Sequence, residues 1–307
     1  METSMSAFRK ILMATIAVAA LAGNAAAQDV KVLRIGLDGG ENEADQVRRT
    51  ECVKPGLIAA TGVSEVQLFP SPNYNGVIQG LLGGTIDLAV MGAASYAAIY
   101  IKDPNAVTPV LTTKQADGST GYYSIMVARK DSGIKTLADA KGKKLGFADP
   151  DSTSGYLVPN VALPKDTGAP VKQYFSETGF GGGHENLVLG VLDKKFDVGT
   201  TFGSGQGDWA QGYSSGNLHQ MVTKGLLDMD DIVEVWKSPL IPNGPLMVSQ
   251  KLPADLQKKV TTYFAELPKT DKSCFESFTG GGYVDWVPVD QSFYQTIIDA
   301  RKAVIGG

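Results

Sequence analysis

Apolar positions along the chain fall into two alternating kinds of block. Short runs rich in Val, Ile and Leu read as buried strands, and longer stretches with apolar residues three and four apart read as helices. Strands are predicted at 32–37, 66–69, 88–91 and 107–112, interleaved with helices at 44–60, from about 75, and at 93–101. In the second of these helices Val77, Ile78, Leu81 and Leu82 take core spacing. The alternation resumes with a strand starting at 124–128, a helix at 136–140, a strand at 145–147 and a helix opening inside 152–155. A strand at 173–175, a helix at 185–192 and strands at 198–201, 233–235 and 246–248 follow, and helices at 253–267 and 292–305 finish the chain. Such alternation predicts an α/β fold with mainly parallel sheets flanked by helices. Two α/β units and a helical tail imply two lobes, with a ligand held between them where strands end and helices begin.

The N-terminus changes the compartment. Arg9 and Lys10 precede an apolar run at 11–22, and Ala25-Ala26-Ala27 offers a cleavage site before Gln28. The run is shorter than the ~20 residues that span a bilayer. Residues 1–27 are therefore expected to be a signal peptide, removed on export. A formal net charge of −4 gives no electrostatic footprint for nucleic acid. Export permits a disulfide between Cys52 and Cys274, but spacing alone does not decide whether they meet. These cysteines, with His184 and His219, show no zinc-ligand spacing, so neither metal nor cofactor is expected.

The stretch DPDSTSGYLVP, 149–159, crowds Ser152, Thr153 and Ser154 against Gly155. Hydroxyls at a helix start satisfy backbone N–H groups that have no partner in the helix. The same N–H groups, with the positive end of the helix dipole, can hold an anion. Two other strand-to-helix corners, at 73–75 and 182–185, also present polar tips. Catalytic patterns are absent. Ser132 to Lys135 matches S-x-x-K without its companion triplets, the glycines at 203–207 lack nucleophile-elbow spacing, and neither His has a triad context. Binding without catalysis is the expectation. A hydrogen bond to a charged group contributes about 1.5–3 kcal/mol, and micromolar affinity needs roughly 8 kcal/mol. A few hydroxyls and N–H groups therefore suffice, even without Lys or Arg.

Five stretches, in order, carry a family resemblance: NYNGVIQG at 73–80, DGSTGYYS at 117–124, DPDSTSGYLVP at 149–159, GHEN at 183–186 and WKSPLIP at 236–242. The chain resembles the periplasmic phosphonate-binding proteins of ABC transporters, a group that includes phosphite binders. The resemblance implies the type II two-lobed periplasmic binding fold, a phosphonate-type oxyanion as ligand, a periplasmic location and a membrane permease as partner. Its phosphonate cup falls on Ser152, Thr153 and Ser154, its two cleft tyrosines on Tyr74 and Tyr122, and its histidine donor on His184. Lobe 1 is expected at 28–121 plus 244–307 and lobe 2 at 122–243. Acids that hold a ligand amine in relatives fall on Ser204 and on Asn243-Gly244, so both are missing; Asp208, Glu41 or Glu43 could compensate. Simple alkylphosphonates, phosphite and phosphate stay in play. An exported phosphate-ester hydrolase is the alternative from another class.

Overall fold

The computed structural model describes residues 30–39 and 42–306; the expected signal peptide lies outside the described residues. The chain runs through β1 (Val32–Gly36), α1 (Glu43–Thr50), α2 (Val53–Thr61), β2 (Glu65–Phe69), α3 (Tyr74–Gly83), β3 (Leu88–Val90), α4 (Ala93–Lys102) and β4 (Val107–Gln115). It crosses into β5 (Gly121–Arg129), β6 (Lys144–Phe147), α5 (Val158–Thr167), α6 (Val171–Tyr174), β7 (Glu177–Phe180), α7 (His184–Leu192), β8 (Val198–Gly203), α8 (Asn217–Thr223), β9 (Ile232–Lys237) and β10 (Ile241–Pro242). It returns through β11 (Pro245–Ser249), α9 (Ala254–Thr270), α10 (Lys272–Thr279), β12 (Tyr283–Pro288) and α11 (Gln295–Gly306).

These strands form two sheets. One has the order β12-β4-β11-β3-β1-β2, and the other β10-β5-β8-β6-β7 with β9 also on β5. Parallel pairing is confined to β2-β1-β3 and β7-β6-β8. The remaining pairs are antiparallel, so both sheets are mixed. The reason lies in the crossings: β4–β5 leaves the first sheet and β10–β11 returns beside it in the opposite direction. Tyr122 pairs with Ile241 on one side and Thr112 with Pro245 on the other.

Asn243 ties the two crossings together. Its backbone N–H donates to the Thr120 carbonyl at 2.8 Å, and its Nδ2 donates to the Thr113 carbonyl at 2.9 Å. Its own carbonyl accepts from the hydroxyls of Thr112 and Tyr294, at 3.0 and 3.2 Å. Separate apolar cores lie behind the two sheets, one around Leu33, Leu57, Leu246 and Phe264, another around Met126, Leu145, Phe147 and Val198. Among the described residues no helix is long and apolar enough to cross a membrane.

Local chemistry explains where the elements depart from the apolar pattern. The helix expected at 44–60 is two helices, because Pro55 has no N–H and would crowd the carbonyl of Glu51 in a continuous helix. Restarting at Val53 puts that proline in a first turn. At 136–140 there are turns rather than a helix. The Asp139 carboxylate there accepts from the N–H groups of Lys135 and Thr136, at 3.1 and 2.9 Å. The strand expected at 173–175 is the end of helix α6, begun by Pro170, and Tyr174 and Phe175 are core side chains. The tail holds more than helices. Strand β12 adds to the edge of the first sheet with a register shift between Tyr283 and Asp285, which hides its alternation. Cys52 and Cys274 are joined by a disulfide with Cα atoms 5.6 Å apart, tying the α1–α2 corner to α10.

Candidate functional site

Between the two sheets lies a cavity of about 180 Å³. Four helices begin on its wall. Tyr74 is the first residue of α3, capped by Asn73, whose side chain accepts from the Gly76 N–H. Gly92 caps α4 without any side chain. Ser152 precedes a π-helical turn, Thr153–Leu157, that runs into α5. His184 opens α7 after Gly183. Each start offers N–H groups without intrahelical partners and the positive end of a dipole. Such N–H groups are the kind that can hold an anion without Lys or Arg.

The 152–154 segment both caps a helical turn and lines the cavity. Ser152 Oγ accepts the Gly155 N–H at 3.0 Å and so caps the turn. Thr153 Oγ1 accepts the Ala94 N–H at 2.8 Å, which joins this segment to the start of α4 while leaving the hydroxyl proton free to donate. The Ser154 carbonyl accepts from the Ser124 hydroxyl at 2.6 Å. All three side chains are buried, at 1, 2 and 1% exposure. The wide π turn, closed by the Leu157 N–H on the Ser152 carbonyl at 3.0 Å, is a feature enriched at functional sites. Close approach requires glycine at two neighbouring positions. A Cβ on Gly92 would stand 2.6 Å from Thr153 Oγ1, and one on Gly244 1.9 Å from the Met91 carbonyl oxygen.

The remaining cup residues come from other strands and helices. Tyr122, on β5 at the crossing, is within reach of the Ser154 and Thr153 hydroxyls, and burial holds its phenol protonated, pushed up to about 12. His184 packs edge-on against Phe202, with ring centroids 4.7 Å apart. Its Nε2 lies 3.0 Å from Ser152 Oγ, and burial pulls its pKa down to about 3. The imidazole is therefore neutral at physiological pH and acts as a hydrogen-bonding group, not a cation. Its Nδ1 is buried with no hydrogen-bond partner among the described residues.

The six residues singled out from the sequence, Tyr74, Tyr122, Ser152, Thr153, Ser154 and His184, all line this one cavity. Sequence reasoning missed others. Asp38, just beyond β1, Arg49 in the last turn of α1, Phe202 on β8 and Tyr283 on β12 line it too. Of the acids named as substitutes, Asp208 caps a turn by accepting from the Ala210 N–H, Glu43 is exposed on α1, and Glu41 lies outside the described residues. Ser204 is hydrogen-bonded to Ser214 at 2.9 Å. The acid in the cavity is Asp38, for which a lone Asp after a strand gave no signal. Glu185, in the first turn of α7, pairs with Lys224 at 2.8 Å. Trp236 is core, donating to Asp166 at 2.7 Å, whereas Trp286 reaches the cavity wall.

Two mixed sheets joined by paired crossings, with a neutral cup between them, are the architecture of the type II periplasmic binding proteins. A binding component of an ABC phosphonate transporter from Pseudomonas aeruginosa superposes with a TM-score of 0.73 at 26% identity, over 89% of this chain and 86% of that one. PhnD1 of Prochlorococcus marinus in complex with methylphosphonate shares the fold, with a TM-score of 0.73 at 18% identity over 90% of this chain and 98% of that one. The "Phosphonates-binding periplasmic protein" of Escherichia coli (strain K12) is 30% identical over 247 residues, 78% of this chain and 67% of the relative. The "Phosphate-import protein PhnD" of Mycolicibacterium smegmatis is 28% identical over 238 residues, 74% and 68% of the two chains. Residues 40–294 match the family described as "ABC transporter, phosphonate, periplasmic substrate-binding protein", and the chain belongs to that family.

Proposed function

We propose that this chain captures a phosphonate-type oxyanion in the cavity between its sheets and delivers it to the permease of an ABC importer. The observation that carries the reading is the convergence of four helix N-termini and three buried hydroxyls on one cavity. In this reading Ser152, Thr153 and Ser154 donate to the tetrahedral oxygens, Tyr74 and Tyr122 add phenol donors, and neutral His184 gives its one ring N–H, from Nε2, to Ser152 Oγ and so aims that hydroxyl at the ligand. Residues 28–121 with 244–307 act as one lobe and 122–243 as the other. They close by bending at the paired crossings held by Asn243. The mature chain works in the periplasm after loss of residues 1–27, and it binds its ligand without transforming it.

The test is calorimetric titration of the mature, refolded protein with methylphosphonate, 2-aminoethylphosphonate, phosphite and phosphate. Micromolar or tighter binding of a phosphonate supports the reading, and preference for phosphite or phosphate moves the ligand within the same cup. No heat with any of the four, or turnover of a chromogenic phosphate ester, would overturn it.

A further inference from the structure

The cavity is larger than its cup. At about 30 Å³ per water molecule, 180 Å³ is the space of about six waters, more than the anion of phosphite fills. The far end is chemically different from the cup. Arg49 enters from α1, Gln220 from α8, and Thr279, Gly280 and Gly281 from the end of α10 and the turn after it. The guanidinium of Arg49 has no ion pair among the described residues. Its neighbour Arg48 takes Asp45, which also holds Lys224 at 2.6 Å.

Two donors from opposite sides of the cleft meet at one glycine. A Cβ built on Gly280 would stand 3.2 Å from Arg49 Nη1 and 2.7 Å from Gln220 Nε2. Both groups therefore pack against Gly280, where a side chain would displace them, and both line the cavity. Trp286 lines the same cavity. Trp286 packs on Phe275 of α10, with ring centroids 5.8 Å apart, and its buried Nε1–H has no acceptor among the described residues. This end is braced covalently. The Cys52–Cys274 disulfide and the Ser277 hydroxyl donating to the Arg49 carbonyl at 3.2 Å fix α1 against α10.

Two N–H donor groups at one point, one of them cationic, define a place for an anion's oxygens. We infer that the far end is a second anion subsite, in which Arg49 selects phosphonates carrying a carboxylate a short chain away from the phosphorus. The inference rests on the phosphonate reading of the cup. A carboxylate fits better than a second phosphonate, since one guanidinium offers bidentate donors to it without further cations.

The test compares methylphosphonate with 3-phosphonopropionate by calorimetry, on the wild type and on Arg49→Met, which keeps an unbranched apolar stem. The wild type is expected to bind 3-phosphonopropionate about tenfold or more tighter than methylphosphonate. Arg49→Met should erase that advantage, weakening 3-phosphonopropionate about tenfold more than methylphosphonate. Equal wild-type affinities, or a variant that loses both ligands in proportion, would overturn the subsite and leave the cup standing. Failure of the wild type to bind either ligand would overturn the cup, and the subsite with it.

Discussion

Ser152 Oγ and His184 Nε2 stand 3.0 Å apart, with both side chains buried. Because Ser152 also caps Gly155, the ring and the cup share one hydrogen-bond chain. With its pKa drawn down to about 3 by burial, the imidazole does not titrate between pH 5 and 8. Methylphosphonate affinity over that range should follow the ionisation of the ligand alone. His184→Gln should weaken binding about tenfold and leave the shape of the pH profile unchanged. A step near the ordinary histidine value of 6.5 that vanishes in the variant would contradict this.

The same burial links His184 to stability in acid. The unfolded ring takes up a proton near 6.5 and the folded one only near 3, so the unfolded state binds more protons in between. Stability from this group is present above pH 6.5 and is lost as pH falls toward 3. Thermal melts of His184→Gln should decline less between pH 6.5 and 4 than those of the wild type. Parallel declines would show that the ring is protonated in the folded state.

Ser154 can be tested without disturbing its backbone, because the Ser124 hydroxyl holds the Ser154 carbonyl at 2.6 Å. Ser154→Ala should lose about tenfold in phosphonate affinity with a melting temperature close to wild type. Undiminished affinity would place the anion elsewhere in the cavity.

Asp38 brings a carboxylate into the cavity proposed to receive the anion. Like charges in a desolvated space repel. Asp38→Asn is expected to tighten methylphosphonate binding and to weaken 2-aminoethylphosphonate, whose ammonium the carboxylate favours. The reverse ranking in titrations would exclude Asp38 as the partner of a ligand amine.

Across the mouth of the cleft, Lys224 bridges Asp45 on α1 and Glu185 on α7, at 2.6 and 2.8 Å. The pairs are partly exposed, so the effect of breaking them is small, about 0.2–1 kcal/mol. Lys224→Met should speed ligand release up to about fivefold and reduce the salt dependence of the release rate. Stopped-flow release with unchanged salt dependence would show that the bridge does not hold the halves together.

Local chemistry alone determined much of this protein. Apolar spacing and capping residues are properties of neighbouring positions, so the strand–helix order and the corners at 73–75, 152–155 and 182–185 were legible. The family stretches then pointed to Tyr74, Tyr122, Ser152, Thr153, Ser154 and His184. Only tertiary structure decided that these six side chains line one cavity, since they arrive from four separate segments. Strand β12 and helix α10 were missed because a register shift at Tyr283/Asp285 and mixed polarity erase any simple period. The disulfide, Arg49 beside Gly280, and Asp38 in the cavity lining were likewise illegible. Each depends on residues far apart in sequence meeting in space, and no local pattern records such a meeting.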